Sequence, residues 1–547
     1  MSALCMALQT NDIVLHIFQC LSPPQDDEPD RSNQRALARS ARVCKSFSNA
    51  ALNVLWEKMD SMVPSLCLFA AFKQVRGDMG GYNTMHIAHM LVEGEDIRAP
   101  SVWTLCGQPT PAEWSRFKQY ATRVRAITSP KDDCVDASSL MLLSQENNCE
   151  PLFPHLRAAI WHRSPSIEAG LLAVMSLSVR RLRLVYNDLI CVPYTHTQWP
   201  ITKRDYGLQA ILDSVGAYLP SLETFEFEGL AHSFSLTPIS NMKALRSVDL
   251  AQLTCVSDGE GSLLEALSTM ADLDSLNITS TLRADLVPKG SGFVNLRSLT
   301  IHRSWENVVP LLLAVSLSPL EEFHLLRLKL PPPEAFYSIG HALRQFSSTL
   351  RVFDMQLTGT DAAWSDNDHA SSTTAVIRPL FRLEFLESFS WDWQCTTHRP
   401  FATTDEDLYE IGIAWPNLRI LSLLGPDHRD TFPTVRGLQS LLQSCPKLSQ
   451  LFLPGMDPSL YPDFSDVSYD LQTLVVEQQR HTLGDTHRLA KELSHLLPKL
   501  DVVCSSRTFV DKMGDPILNH PWNGVMEMVG SIRRGKQPPG ACSSESS

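Results

Sequence analysis

Residues able to support catalysis or metal binding occur in this sequence only as fragments of motifs. His86 and His89 stand three residues apart, as on one helix face, but no Cys or acidic third ligand lies nearby. Asp366 and Asp368 match part of a calcium loop that lacks the required Gly and the closing Glu. The sequence has no phosphate loop, dinucleotide-binding glycine motif, G-x-S-x-G elbow or H-E-x-x-H. We therefore predict no catalytic residue, no metal and no cofactor.

The composition is that of an acidic, folded chain. Its 547 residues include 47 basic and 60 acidic side chains, a formal net charge of -13, which disfavours nucleic acid as a partner. The strongest apolar run, residues 308–317, is too short to span a bilayer, and residues 1–12 lack the features of a signal peptide. The 13 cysteines contain no C-x-x-C pair. We expect no membrane association and a cytoplasmic or nuclear location.

Periodicity at the N-terminus indicates three short helices. The first begins near Thr10 and ends before Pro23, the second begins near Arg35, and the third ends near Trp56. The first places its apolar side chains on one face: Ile13, Val14, Ile17, Phe18 and Leu21. Three short helices cannot bury all of this surface among themselves, so part of it should face a partner or the rest of the chain. Periodicity alone leaves a simple helical cap as an equal alternative.

The order of these residues resembles the F-box family over residues 8–57. The segments "NDIVLHIFQCL" and "LARSARVCKSFSNAALNVLW" match its Ile-x-x-x-Ile-Phe-x-x-Leu helix, its Val-Cys-Lys-x-Phe core and its terminal Leu-Trp. The resemblance implies docking to a Skp-type adaptor of a Skp-cullin-F-box ubiquitin ligase. Carried over by position, the adaptor contacts come from Leu8, Ile13, Val14, Ile17, Phe18, Leu21, Val43, Cys44, Phe47, Leu55 and Trp56, some of which must form the module's own core.

The segment departs from the family pattern at two points. Leu8-Gln9 stands where the family has Leu-Pro, and an acidic insertion at residues 25–31 lengthens the first loop between helices. Both departures leave the apolar positions intact. Adaptor docking is expected to persist, with a lower affinity.

The rest of the chain repeats the pattern apolar-x-x-apolar-x-apolar, which in a leucine-rich solenoid directs the last two apolar side chains inward from a short strand. Clear examples are Leu222/Phe225/Phe227 and Leu320/Phe323/Leu325, and the pattern extends from Leu156 to Val476. Successive first positions at Leu222, Leu245, Leu273 and Leu296 follow at intervals within the roughly 20 to 29 residues of this repeat class. Helix-like runs lie between the strands, for example at residues 207–218 and 435–443.

A doubly wound α/β enzyme is the main structural competitor, since it also alternates strands and helices. Its central strands read as continuous apolar runs, whereas these strands alternate apolar and polar residues. We predict an α/β protein with an N-terminal three-helix F-box followed by an irregular leucine-rich-repeat solenoid. Its parallel strands should line the concave face and its helices the convex face. The array resembles the divergent ones that follow the F-box in many fungal F-box proteins.

The predicted domains are an F-box-like helical domain at residues 1–60 and a helical linker or solenoid cap at 61–150. The solenoid follows at 151–505, and a C-terminal cap helix with a disordered tail at 506–547. Outward positions on the strands are candidates for target binding because such surfaces commonly serve as binding faces. They are Arg181, Arg183, Glu226, Glu228, Asp249, Asn277, His302, Glu322, His324, Asp354, Asp392 and Phe452.

The sequence therefore predicts a substrate-recognition adaptor of a Skp-cullin-F-box ubiquitin ligase. Its expected partners are a Skp-type adaptor, a cullin ligase and an unidentified protein target with a basic or hydrogen-bonding segment. The chain itself would not be an enzyme. A leucine-rich binding scaffold without a ligase role is the first alternative, and an α/β enzyme with an unrecognised site is the second.

Overall fold

A computed structural model describes most of the chain, which separates into two compact units, Met1–Leu273 and Asp274–Ser547. The described residues are 10–21, 31–76, 101–129, 135–162, 168–186, 203–229, 237–251, 260–279, 292–303, 305–329, 332–358, 371–393, 401–424, 432–457, 468–476, 486–500 and 521–533. His86, His89, Asp366 and Asp368 lie outside them, as do Leu8, most of the acidic insertion and residues 534–547.

The first unit opens with the three predicted helices. They are α1 at Asn11–Gln19, α2 at Arg31–Ser40 and α3 at Lys45–Glu57. The start of α1 directly after Thr10 confirms the helix-start signal read from the sequence. Helix α3 ends at Glu57, and the first strand begins at the next residue, so no linker separates the helices from the strands.

The strands of the first unit form a parallel ladder in chain order, apart from two that pair separately. In order, the elements after α3 are β1 Lys58–Met59, α4 Val63–Leu66, β2 Phe72–Arg76, β3 Ser101–Leu105, α5 Pro111–Ala121, β4 Ala126–Ser129, α6 Ala137–Glu146, β5 Ala158–His162, α7 Glu168–Val174, β6 Arg181–Tyr186, α8 Lys203–Tyr218, β7 Thr224–Gly229, β8 Ser247–Leu250 and α9 Glu260–Ser268. The ladder runs β1-β4-β5-β6-β7-β8.

Register in this ladder places the predicted inward residues side by side. Leu182 pairs with Ala159 on one side and with Phe225 on the other, and Phe225 pairs with Val248. All four are buried. The apolar pattern therefore correctly identified the residues that form the core between the strand layer and the helices.

The pairing of strands begins earlier in the chain than the sequence predicted. Lys58–Met59 pairs with Ala126 and Ile127, so parallel ladder structure is already present within residues 61–150, the segment predicted as a helical linker or cap. Within the same segment, Phe72–Arg76 also pairs antiparallel with Ser101–Leu105. The rings of Phe72 and Trp103 stack across this pair with centroids 5.7 Å apart.

The second unit continues the same alternation. Its elements are β9 Ser275–Thr279, β10 Ser298–His302, α10 Val308–Ala314, β11 Glu322–Lys329, α11 Pro333–Leu343, β12 Val352–Thr358, β13 Ser371–Ser372, α12 Thr373–Ile377, β14 Ser388–Trp393, β15 Phe401–Ala402, α13 Asp405–Ala414, β16 Ile420–Leu424, α14 Val435–Ser444, β17 Gln450–Leu453, β18 Thr473–Val476, α15 Thr486–Leu496 and α16 Pro521–Arg533. Its ladder is β9-β10-β11-β12-β14-β16-β17-β18, and β13 pairs with β15.

Aromatic rings stack along the inward face of this second ladder. Phe323, Phe353 and Phe389 pair in register, with successive ring centroids 5.9 and 5.8 Å apart. Phe389 also contacts Trp415, whose ring centroid lies 4.6 Å away. Since all four rings are buried, this stack fills the space between the strands and the helices.

Charges alternate in sign along the turns that lead into the strands of the second unit. The positions are Asp274, Arg297, Glu321, Arg351, Glu387 and Arg419, each directly after the first leucine of its repeat. The backbone carbonyl of each residue except Arg419 accepts from the amide of the next in this series. Neighbouring side chains form ion pairs, such as Arg419 Nε to Glu387 Oε2 at 3.2 Å. Opposite charges therefore match the strand register, although exposed pairs add little stability.

Successive helices pack against one another within each unit, giving a helix layer beside the strand layer. This strand-helix alternation with chain-order parallel pairing confirms the predicted fold class, an N-terminal helical module followed by an irregular leucine-rich-repeat solenoid. Helix α16 packs on α15, and Arg533 donates to the carbonyls of Leu497 and Leu500. Its predicted role as a cap of the solenoid stays a prediction.

Candidate functional site

The three N-terminal helices form a complete small core. Val14 and Phe18 of α1 are 2% and 6% exposed. They pack with Leu37 of α2 and with Ala51 and other residues of α3. Phe47 meets Phe18 edge to face with ring centroids 5.6 Å apart. Of the predicted adaptor contacts, Val14 and Phe18 therefore belong to the core of the module.

Other predicted contacts remain exposed on this module. Ile13 and Ile17, one turn apart on α1, are 42% and 48% exposed, and Val43 before α3 is 69% exposed. Leu21, Phe47 and Leu55 are only partly buried against the core. Exposed aliphatic side chains on an otherwise well-packed module provide a surface suited to a partner.

Cys44 adjoins Val43 and is the N-cap residue of α3. Its exposed Sγ lies 3.1 Å from the hydroxyl of Ser46. The hydrogen bond from Ser46, followed by that from the backbone N–H of Phe47, lowers the pKa of the Cys44 thiol below its usual value. The thiolate is the nucleophilic form, so we expect Cys44 to react with alkylating reagents at a lower pH than a cysteine of ordinary pKa.

Two contacts attach this module to the first repeats. Trp56 stacks against Tyr120 of α5, with ring centroids 4.7 Å apart. Arg123 donates to the carbonyl oxygen of Asn49 at 3.3 Å and to the side-chain oxygen of Asn53. A cleft of about 500 Å³ adjoins this junction. Trp56, predicted as an adaptor contact, therefore packs within the chain.

On the strand face of the first unit, the predicted residues pair with one another. Arg183 Nη2 lies 2.8 Å from Glu228 Oε2, and its Nε lies 3.6 Å from Glu226 Oε2. The hydrogen bond that Arg183 donates to Glu228 raises the pKa of Arg183, and the nearby Glu226 and Asp249 act in the same direction. On this side of the face, Arg183 is therefore paired with carboxylates of the neighbouring strand.

The second unit brings histidines and carboxylates together on its strand face. His302 Nε2 lies 3.0 Å from Asn277 Oδ1. The two ring nitrogens of His324 lie 3.8 Å from Glu322 and Asp354. Strand register explains the grouping, since His324 pairs directly with Asp354. This part of the strand face thus groups hydrogen-bond donors with hydrogen-bond acceptors.

Two further outward positions are less accessible than their strand phase suggests. Asp392 is 8% exposed, and Leu424 is 6% exposed. Phe452 remains partly exposed. Alternation along a strand identifies which side a residue faces, but it cannot predict what covers that side.

Sequence reasoning missed two exposed arginines at the ends of neighbouring strands, Arg303 and Arg327. Both adopt positive φ, at 75° and 53°. The available signal was the run Leu325-Leu326-Arg327-Leu328, which breaks the apolar-polar alternation of β11.

The described residues contain neither a metal-binding cluster nor a membrane-spanning helix. In that part of the chain, no cluster of three or more His, Cys, Asp or Glu is arranged to hold a metal ion. No helix there is both long and apolar enough to cross a membrane.

Comparison with known proteins gives a match to a family model and a larger set of remote likenesses to solved structures. Residues 11–61 match the family model described as F-box-like. No curated protein matches the sequence. One chain of the TLR13–ssRNA13 complex has 14% identity to this protein and a TM-score of 0.37. The match covers 70% of this protein and 54% of the TLR13 chain, so this protein spans about half the length of that chain. An internalin (inlF) from Listeria monocytogenes str. 4b F2365 has 13% identity and a TM-score of 0.27, covering 64% of this chain and 86% of its own.

The matched segment ends at residue 61, just beyond α3 and the first paired strand. The fold of the remainder follows from its own strand register and helix packing. The chain therefore combines an F-box-like domain at residues 11–61 with an irregular leucine-rich-repeat solenoid, two kinds of module that serve protein interaction.

Proposed function

We propose that this chain is a substrate-recognition adaptor of a Skp-cullin-F-box ubiquitin ligase. The F-box-like domain would dock a Skp-type adaptor, and the solenoid would bind a protein target. The observation that carries the proposal is the exposure of Ile13, Ile17 and Val43 on an F-box-like module whose own core is complete. Burial of such side chains is the main driving force of protein association.

The docking surface in this proposal consists of Ile13, Ile17, Val43 and Cys44. Val14 and Phe18 support it from beneath by fixing the position of α1 against α3. Leu21, Phe47 and Leu55 contribute their exposed edges, because they are only partly buried.

The mechanism in this proposal is proximity. The solenoid holds a protein target near the ubiquitin-charged enzyme, and no residue of this chain forms or breaks a covalent bond. We place the protein in the cytoplasm or nucleus, where such ligases work. Its strand face carries Glu322, His324 and Asp354 as polar groups for the target.

A binding titration with a purified Skp-type adaptor tests the proposal. We expect the wild-type chain to bind and an Ile13→Asp/Ile17→Asp variant to bind at least about tenfold more weakly, because interface anchors commonly contribute 2 kcal/mol or more. Both residues are exposed, so the variant should fold. Phe18→Asp is not a suitable test variant, since a charge at this buried position would disrupt the core of the module.

The matched control is Leu142→Asp/Leu172→Asp, which changes two apolar residues of similar exposure, 49% and 42%, on helices of the solenoid. It should bind the adaptor with wild-type affinity. Absence of binding by a folded wild-type chain would refute the ligase role and favour the leucine-rich scaffold without it.

A further inference from the structure

Two arginines on neighbouring strands adopt a backbone conformation that arginine rarely takes. Arg303 follows β10 with φ 75°, and Arg327 lies within β11 with φ 53°. Glycine and asparagine adopt this left-handed conformation readily, whereas a long side chain is strained there. Two such residues side by side need a physical reason.

Hydrogen bonding shows that these two arginines are direct neighbours. The N–H of Arg303 donates to the carbonyl of Leu326 at 3.1 Å, and the N–H of Lys329 donates to the carbonyl of Arg303 at 3.4 Å. On its other side, the register of β11 against β12 also shifts between Leu325 and Leu328. Arg303 therefore lies opposite two residues, Arg327 and Leu328, which is the arrangement of a β-bulge.

Among the described residues, no contact of the Arg303 and Arg327 side chains offsets this arrangement. Leu328 is buried, whereas Arg303, Arg327 and Lys329 are exposed. In the part of the chain that the structure describes, neither guanidinium forms a hydrogen bond or ion pair, and like charges at opposed positions repel. Arg297, by contrast, has Asp274 Oδ1 3.6 Å from its Nε.

We propose that Arg303 and Arg327, with Lys329 beside them, bind an anionic group on the protein target. Guanidinium groups present paired donors that match phosphate and carboxylate oxygens, so a phosphorylated side chain or a pair of acidic side chains fits equally. The carboxylates of Glu322 and Asp354 lie near the N-terminal ends of β11 and β12. The positive charge of the arginines is therefore confined to the C-terminal ends of β10 and β11. This proposal rests on the proposed function for its protein target.

Because the backbone of both arginines is strained, thermal stability distinguishes a binding role of these residues from a structural one. Asparagine tolerates positive φ, so an Arg303→Asn/Arg327→Asn variant should unfold at the wild-type temperature or above it. If these arginines were retained for stability, the same variant would unfold at a lower temperature, and the proposal would fail.

Fluorescence anisotropy with three labelled peptides of one Gly/Ser-rich sequence tests the ligand. One carries phosphoserine, one carries two glutamates at the same place, and one carries only serine. The full chain should bind one or both anionic peptides, and the Arg303→Asn/Arg327→Asn variant should bind them at least about tenfold more weakly. Binding should weaken as salt is raised. The peptide that binds better shows whether the site prefers a phosphate group or a pair of carboxylates.

The matched control is Arg246→Asn/Arg344→Asn, which removes the same charge from two other exposed positions and should change peptide affinity less than about twofold. Equal loss in both variants, equal binding of the serine peptide, or no binding of any peptide would overturn the proposal. Each variant is also titrated with the Skp-type adaptor. Failure of adaptor binding by the wild type counts against the proposed function, whereas peptide results judge the arginine site alone.

Discussion

The carboxylate of Asp407 connects the first turns of two neighbouring helices. Its Oδ1 accepts from the backbone N–H and the hydroxyl of Thr374, at 2.8 and 2.7 Å. Its Oδ2 accepts from the same two groups of Thr404, again at 2.8 and 2.7 Å. Asp407 is 1% exposed, so four donors depend on one buried side chain.

Asp407→Ala should lower the free energy of unfolding by about 2–4 kcal/mol, because it leaves buried donors without an acceptor. Urea denaturation followed by circular dichroism measures the change. The control is Asp470→Ala, since Asp470 pairs with Lys499 at 2.7 Å but is 67% exposed, and its loss should change stability by less than about 1 kcal/mol. A smaller effect at Asp407 than at Asp470 would contradict this account of the helix layer.

The lowered pKa of the Cys44 thiol predicts its chemical reactivity. Since alkylation requires the thiolate, its rate should reach half of its plateau at a pH below the ordinary thiol value of 9.0. Ser46→Ala removes the largest cause of the shift, so this midpoint should move upward. Iodoacetamide labelling across a pH series, read by mass spectrometry, measures both midpoints. Cys445 should stay unlabelled, because burial raises its pKa to about 12.

At the scale of elements, helix stacking in the second unit depends on a close approach at Gly412. A Cβ added there would lie 2.7 Å from the Cβ of Ser444, which is closer than two helices can tolerate without separating. Gly412→Ala should therefore destabilise the chain by about 1–3 kcal/mol, although alanine normally favours a helix by about 1 kcal/mol. Thermal unfolding measures the change.

Gly524→Ala is the control for this substitution. Gly524 lies in helix α16, and an added Cβ would meet nothing within 4 Å. The variant therefore differs from the wild type only in the higher helix propensity of alanine. It should be as stable as the wild type or more stable by up to about 1 kcal/mol. Equal stabilisation at both glycines would show that the close approach at Gly412 does not limit packing.

The strand elements were predictable wherever the apolar alternation was intact. Phe225 and Phe227, for example, were assigned inward from sequence and are buried. The early strands were missed because β1 has two residues and because Ser129 occupies the inward position that follows Ile127. A short polar-containing strand has too little periodicity to identify.

The candidate docking surface was predictable only in part. Helical periodicity placed Ile17 and Phe18 together on the apolar side of α1, yet one is 48% exposed and the other 6%. Which of the two is buried depends on where α2 and α3 pack against α1, and the periodicity of α1 alone does not determine that packing. The bulge at Arg327 likewise depends on the neighbouring strand rather than on local sequence.

In the proposed function, the whole molecule consists of a docking module at residues 11–61 and a target-binding solenoid. Helix α3 passes directly into the first strand of the ladder, and Arg123 fixes the module to α5 and β4 through Asn49 and Asn53. The proposed docking surface on α1 and before α3 and the proposed target-binding residues on the strands therefore belong to different elements of the chain.

The most direct test of this division is to measure where a purified Skp-type adaptor protects the native chain. Alkylation rates of Cys44 and of Cys106, both exposed, are compared with and without saturating adaptor. We predict that the adaptor slows labelling of Cys44 at least about tenfold, because it covers the adjoining Val43, and leaves Cys106 unchanged. Unchanged labelling of Cys44 under saturating adaptor would contradict the central claim.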